Sequence, residues 1–186
     1  MGDKVLFLDR DGVINEHPRT PRTWEEFRFL PGVPEALAEA TQDGWRIVVV
    51  TNKGIVGSRL LARKVSDEIN RRMVEALAAQ GARIEAVYAC NHFPHGLCRC
   101  RKPKAGLLED AKRDLRLDPE VCWMVGDNAT DVAAGKKAGC RTVLLTSSKP
   151  RTKLMAKLKS LGVEPDHWAV GLSEAWRDDI APSARK

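Results

Sequence analysis

Val5-Leu6-Phe7-Leu8-Asp9-Arg10-Asp11-Gly12 sets four apolar residues directly against two carboxylates and a glycine. An apolar run without polar alternation is what a strand covered on both faces requires. The switch at Asp9 marks the place where the chain leaves the sheet. The same pattern recurs at Arg46–Thr51, Ile84–Cys90, Cys122–Asp127 and Arg141–Thr146, with a short last strand at His167–Val170. Between these runs, Val33–Gln42, Ser58–Gln80, Gly106–Arg116, Ala129–Ala138 and Lys153–Leu161 carry helical patterns. Pro31-Gly32 precedes the first, and Gly44, Gly81 and Gly139 follow helix-forming stretches, where a left-handed terminal residue is common. Regular βα alternation predicts a doubly wound parallel α/β sheet of Rossmann type. With no repeat, low-complexity segment or linker, residues 1–182 read as one domain and 183–186 as a frayed tail.

The bulk numbers narrow the function classes. A chain of 186 residues, 43% apolar and 30% charged, fits one folded soluble domain with a sizeable core. No apolar run reaches the roughly 18–20 residues that span a bilayer. Met1–Leu8 runs straight into a strand without a signal-peptide apolar stretch, so a cytoplasmic monomer with no membrane partner is expected. The net charge of +6 raises nucleic acid as a partner. The basic residues are spread along the chain, however, with only mild clusters at Arg99–Lys104 and Lys149–Lys159, so nucleic acid is not the expected partner.

Ligands of open α/β sheets bind outside the carboxyl ends of the strands. Four polar clusters fall at such ends: Asp9-Arg10-Asp11-Gly12, Thr51-Asn52-Lys53-Gly54, the cysteines from Cys90 onward, and Gly126-Asp127-Asn128. Asp9 and Asp11, just beyond a strand, can diverge. One then attacks a phosphorus as nucleophile and the other acts as general acid and base. Taken alone, the motif also fits an ordinary Asp/Gly turn. Asp127 adds a third acid. Carboxylates beside a phosphate dianion repel it, and Mg²⁺ resolves the conflict with carboxylate, water and phosphate oxygens. Asp131, in the first helical turn, either supports that metal through a water or caps the helix. Thr51 and Asn52 offer donors to phosphate oxygens. Lys102 balances the dianion, and Arg101 suits a carboxylate, a phosphate or sugar hydroxyls.

Cys90-Asn91-His92 and Cys98-Arg99-Cys100 give Cys-x-His-x5-Cys-x-Cys, a ligand set for a closed structural Zn²⁺ site, with His95 a possible substitute for His92. Cys122 and Cys140 sit in apolar stretches and read as two buried thiols. His17 reads as a surface residue. Trp24, Trp45, Trp123, Trp168 and Trp176 share no spacing and read as packing residues.

Phe7-Leu-Asp-Arg-Asp-Gly-Val-Ile-Asn15, Val50-Thr-Asn52, Cys100-Arg-Lys-Pro-Lys104 and Met124-Val-Gly-Asp-Asn-Ala-Thr-Asp131 resemble the four ordered motifs of the haloacid dehalogenase-like phosphatases. Within them the chain is similar to the heptose-bisphosphate and the histidinol-phosphate phosphatases, over about Lys4 to Asp178. The resemblance implies that Asp9 is the nucleophile and Asp11 the acid/base. Thr51 and Lys102 would hold the transferring phosphate. Asp9, the Asp11 carbonyl and Asp127 would bind Mg²⁺, and Asn52 and Arg101 would face the substrate. It also implies a zinc loop ahead of Arg101.

Only about thirty residues separate Asn15 from Arg46, and Thr51 to Arg101 is filled by a helix, a strand and the cysteine loop, so a capless, open site is expected. Arg10, the Asn15–Arg28 loop and the cysteine loop would wall it, and Arg10 and Asn128 would join the substrate contacts. The second motif departs from the family: Lys53 stands where Gln is usual, and the loop is one residue short. A cation there favours a substrate with a second phosphate over one bearing an amine and an imidazole. Heptose bisphosphate is therefore the first reading and histidinol phosphate the alternative. A nucleic-acid 3′-phosphatase ranks third. A non-catalytic zinc-containing interaction protein is opposed by the intact Asp9, Asp11, Lys102 and Asp127.

Overall fold

The computed structural model describes residues 2–16, 20–95 and 97–184. Six strands, β1 (Asp3–Leu8), β2 (Trp45–Asn52), β3 (Ile84–Cys90), β4 (Pro119–Gly126), β5 (Arg141–Leu145) and β6 (His167–Ala169), form one sheet in the order β3-β2-β1-β4-β5-β6. Every pairing is parallel. The chain winds outward from β1 to β3, then returns to place β4 on the other side of β1. The carboxyl ends of β1 and β4 thus flank the crevice where such sheets bind ligands.

Side-chain alternation splits each strand between two layers. Leu6, Leu8, Ile47, Val49, Trp123 and Val125 face one layer, with α1 (Val33–Gln42) and α3 (Arg63–Ala78). Val5, Phe7, Val48, Val50, Cys122 and Met124 face the other, with α4 (Gly106–Asp114) and Ala134 of α5 (Ala129–Lys137). Burial on both sides explains why the strands read as nearly unbroken apolar runs. A further helix, α6 (Arg151–Leu161), buries Leu154 and Leu158. No helix among the described residues is long and apolar enough to cross a membrane.

Three sequence expectations change. The helix expected over Ser58–Gln80 starts only at Arg63 as α3, and a separate short helix, α2 (Gly54–Gly57), precedes the expected span. Arg59 between them has φ 58°, and the buried helical face begins only at Ser66, Ile69, Met73 and Leu77. Cys122 and Cys140 are not separate thiols but a disulfide, with Cα atoms 4.7 Å apart. The β4–β5 register pairs Trp123 with Arg141, so the residues just before them are lateral neighbours. The chain also continues past β6 as helical turns at Leu172–Ala175, Trp176–Ile180 and Ala181–Ser183, the middle one a π-turn. Ser183, expected in a frayed tail, accepts a hydrogen bond from Trp123 Nε1 at 3.0 Å. Residues 185 and 186 of that expected tail lie outside the described residues, as does His17.

Candidate active site

Asp9 is the first residue beyond β1. Its N–H donates to the Val125 carbonyl of β4 at 3.0 Å, which fixes it at the crevice between the two strands. Gly12 then turns with φ +83°, and a Cβ there would lie 2.5 Å from Asp127 Oδ2. Only glycine lets this loop pass so close to the third carboxylate.

Asp9, Asp127 and Asp131 each offer an oxygen, all within 4.8 Å of one another. Asp9 Oδ1 is buried without a hydrogen bond, with the Lys102 ammonium 3.0 Å away. Three convergent hard oxygens, one of them unsatisfied, suit a hard divalent cation. Lys102 is itself buried, reaching Asp131 Oδ1 at 2.6 Å and the Val50 carbonyl at 2.7 Å. Burial works against its charge, but Asp131 and Asp9 outweigh this and raise its pKa. Burial pushes the Asp131 carboxyl up to about 7, against the pull of Lys102. Thr51, at the end of β2, is buried in the same crevice wall.

Several residues expected to face substrate are used inside the protein instead. Arg10 is 1% exposed; it donates to Asp11 Oδ1 through Nε (2.9 Å) and Nη2 (2.7 Å), and to Asn70 Oδ1 at 2.8 Å. It braces Asp11 rather than walling the site. Asn52 makes a reciprocal pair with the Lys102 backbone, donating to its carbonyl and accepting from its N–H, both at 3.1 Å. That pair ties the second motif to the third. Asn128 Oδ1 accepts from the Thr130 N–H at 3.4 Å, while Asp131 Oδ2 accepts from the Asn128 N–H at 3.0 Å. The two form a capping box that starts α5, which accounts for both side chains.

Lys53 departs furthest from expectation. It is neither on the surface nor free to anchor a second phosphate. The side chain is 1% exposed, and Nζ lies 2.6 Å from Asp11 Oδ2. Burial lowers its pKa to about 8, although the Asp11 charge opposes that shift. Burial alone would raise the Asp11 carboxyl. The Lys53 and Arg10 charges outweigh it and hold Asp11 well below the usual carboxylate range.

The cysteine cluster closes as its spacing predicts. Cys90 Sγ lies 3.7 Å from Cys98 Sγ, and His92 Nδ1 lies 3.6 Å from Cys90 Sγ and 3.1 Å from Cys100 Sγ. Tetrahedral bonds of about 2.3 Å to sulfur set ligands about 3.7 Å apart, so the group fits Zn²⁺. His95 stacks edgewise on Phe93 and is not part of the group. Arg101 leaves this loop and donates to the His92 carbonyl at 3.1 Å. A Cβ on Gly54 would lie 3.0 Å from Arg101 Nη2, so Arg101 bridges the cysteine loop and the α2 turn.

Four contacts were not foreseen. Thr20 Oγ1 lies 3.4 Å from Asp11 Oδ2, beside a cavity of about 750 Å³ lined by Thr20, Pro21, Arg22, Glu26 and Ile55. Asn70 of α3 holds Arg10. Ser148 Oγ and Lys149 Nζ both reach Asp127 Oδ2 at 2.6 Å. A signal existed for the last two, since they follow the carboxyl end of β5, on the same rim as the other clusters.

Comparison with known proteins agrees with this geometry. Residues 15–136 match the haloacid dehalogenase-like hydrolase family, and residues 99–175 match a HAD-hydrolase-like family. The chain is 34% identical to the D-glycero-beta-D-manno-heptose-1,7-bisphosphate 7-phosphatase of Haemophilus ducreyi, over 78% of this chain and 84% of that protein. It is 33% identical to the Pseudomonas aeruginosa protein of that name, over 80% and 84%. Its fold superposes on the D,D-heptose 1,7-bisphosphate phosphatase of B. bronchiseptica, solved with magnesium and phosphate, at a TM-score of 0.85 and 30% identity, covering 96% of this chain and 99% of that one. The chain belongs to the haloacid dehalogenase-like hydrolases and is a phosphatase of that family.

Proposed function

We propose that the chain removes the 7-phosphate of D-glycero-D-manno-heptose 1,7-bisphosphate by way of an aspartyl-phosphate on Asp9. The observation that carries this reading is the convergence of Asp9, Asp127 and Lys102 at the β1/β4 crevice, in a chain similar along most of its length to phosphatases named for that substrate. The Asp9 carboxylate attacks the phosphorus, and the bond to the heptose oxygen breaks. Lys102 and Thr51 hold the phosphoryl oxygens. The leaving oxygen takes a proton through Asp11, drawn from the Lys53 ammonium 2.6 Å behind it. Asp11, ionised again, then takes a proton from the water that attacks the phosphorus and returns it to Lys53, and phosphate leaves Asp9. Asp9, the Asp11 carbonyl and Asp127 would hold Mg²⁺, which when bound offsets the negative charge of carboxylates and phosphate.

Cys90, His92, Cys98 and Cys100 would hold a structural Zn²⁺ and so fix Arg101 and Lys102 at the rim. The rest of the sugar would lie toward the cavity beside Thr20, where Arg22 lines the wall and Arg101, beside Gly54, offers a second cation. Residues 1–182 act as one domain, working as a cytoplasmic monomer. The test is a side-by-side kinetic comparison of heptose bisphosphate, histidinol phosphate and a 3′-phosphorylated oligonucleotide, with products read by ³¹P NMR. Loss of the 7-phosphate with the 1-phosphate retained, at the highest kcat/KM of the three, is expected. A clear preference for histidinol phosphate would overturn the substrate assignment.

A further inference from the structure

Lys149 lies between β5 and α6, outside the carboxyl end of a strand that supplies nothing to the chemistry above. Its ammonium is 2.6 Å from Asp127 Oδ2 and 3.2 Å from the Asp127 carbonyl oxygen. Ser148 Oγ donates to the same Oδ2 at 2.6 Å. The carboxylate oxygen facing Gly12 therefore already has two donors, one of them charged.

Two lysines serve the acidic cluster, and their settings differ. The Lys102 side chain is 2% exposed and contacts Val50, Asp9 and Asp131. The Val50 carbonyl and two carboxylates surround the buried ammonium, so Lys102 is fixed. The Lys149 side chain is 28% exposed, and among the described residues its polar contacts are to Asp127. Water can take it over with little cost. The backbone beside it is held independently: the Thr146 N–H donates to the Ala169 carbonyl, the Ser147 N–H to the Val170 carbonyl, and Pro150 opens α6. The side chain can thus leave Asp127 while the loop stays in place. An ammonium and a divalent cation beside one carboxylate repel strongly, so the two compete for Asp127.

We infer that Lys149 is a displaceable stand-in for the divalent cation: it neutralises Asp127 in the metal-free protein, and the cation binds only when the ammonium leaves. The inference rests on Asp127 being a ligand of that cation. Its consequence is a site that keeps its acidic cluster folded and charge-compensated without metal, at the cost of weaker metal binding.

The test is a Mn²⁺ titration of the purified zinc-loaded protein without phosphate, following the free-ion signal by electron paramagnetic resonance. Mn²⁺ replaces Mg²⁺ at carboxylate sites and is directly visible. Lys149→Met is expected to bind Mn²⁺ roughly five- to tenfold tighter than wild type, the scale of a partly exposed ion pair. Lys149→Gln, which keeps a donor without the charge, is expected to gain affinity too and serves if the Met variant folds poorly. Lys153→Met removes the same charge from the exposed face of α6 and is expected to leave affinity unchanged. Wild-type or weaker affinity in both Lys149 variants, with binding lost in Asp127→Asn, overturns the stand-in role alone. An equal gain in Lys153→Met overturns it as well, since the effect is then one of net charge. Wild-type binding in Asp127→Asn overturns the metal assignment together with the inference.

Discussion

A single carboxylate, that of Asp11, is held by Lys53, Arg10 and Thr20 at once. On the proposed reaction this arrangement would make Lys53 part of the acid/base apparatus and take it out of substrate discrimination. Lys53→Gln is accordingly expected to lower kcat about 10- to 100-fold, part of the usual worth of a positioned proton donor. The loss should be similar for heptose bisphosphate and for a generic aryl phosphate. Steady-state kinetics on the two substrates checks this, and a loss confined to the bisphosphate would return Lys53 to the role of phosphate anchor. Asp9→Asn is expected to show no turnover while its circular dichroism and Tm stay close to wild type, because the amide is no nucleophile. Full activity in pure Asp9→Asn protein would end the covalent route. The chemical types of Asp9, Asp11 and Asp127 were legible in the sequence because each sits at or just past a strand end, and that of Lys102 because it stands in the third of the four ordered motifs. The direction of Lys53 was not. Lys53 lies just beyond β2, at the N-cap of α2, where strand alternation no longer sets side-chain direction.

Between residues and molecule stand two elements whose stability has separate sources. The Cys90–Cys100 loop is short and lies mostly at the surface, so a metal bound to its ligand group would supply its folding energy. Cys98→Ser is expected to reduce zinc content, measured by elemental analysis, and to lower phosphatase activity through Arg101 and Lys102. Protein purified without chelators and free of zinc would contradict the assignment. The sheet edge depends on Asp166, just before β6. It accepts from the Thr142 N–H (2.7 Å) and Oγ1 (2.9 Å) and from Lys136 Nζ (2.7 Å). Partial burial would raise its pKa, but these partners outweigh that and lower it. A depressed carboxyl stabilises the fold above its unfolded pKa, about 4, and loses that contribution as pH falls through the lower folded value. Asp166→Ala is therefore expected to cost about 1–2 kcal/mol at neutral pH, allowing for its partial exposure. The Tm gap to wild type should narrow below about pH 4, near the ordinary carboxyl pKa. A gap constant down to pH 3 would place the effect in packing alone. Strand and helix positions were legible from apolar runs and glycines. The break at 58–62 was not, because Leu60 and Leu61 extend the helical pattern although neither joins the buried face.

Across the whole molecule, the outward and return winding of the chain brings the ends of β1 and β4 together, and with them residues more than a hundred positions apart. This much was readable, since strand alternation and the rim rule suffice to gather Asp9, Thr51, the cysteine cluster and Asp127, and the resemblance adds Lys102. The closing of one layer by the last segment was not readable. Leu172–Ser183 is polar in many of its positions and short in each turn, so it carries no clear helical period. Its contribution lies in long-range contacts. Trp176 is 3% exposed, meets the Trp45 ring edge-on at a centroid distance of 5.8 Å, and donates through Nε1 to Glu39 Oε2 at 2.9 Å. Leu172, Ala175 and Ile180 bury beside it in the layer that holds α1. Removing the indole leaves a cavity at the junction of β2, α1 and the final turns. Trp176→Ala is expected to cost about 3–5 kcal/mol, the usual range for a buried tryptophan. Trp176→Phe keeps an aromatic ring but loses the hydrogen bond and part of the ring volume, so about 1–2 kcal/mol is expected. Urea unfolding followed by circular dichroism separates these cases. If the segment is integral to one cooperative domain, the midpoint falls in both variants while the slope stays constant. A Trp176→Ala protein with an unchanged midpoint, or with a separate early transition, would show that the last segment docks on a core already complete without it.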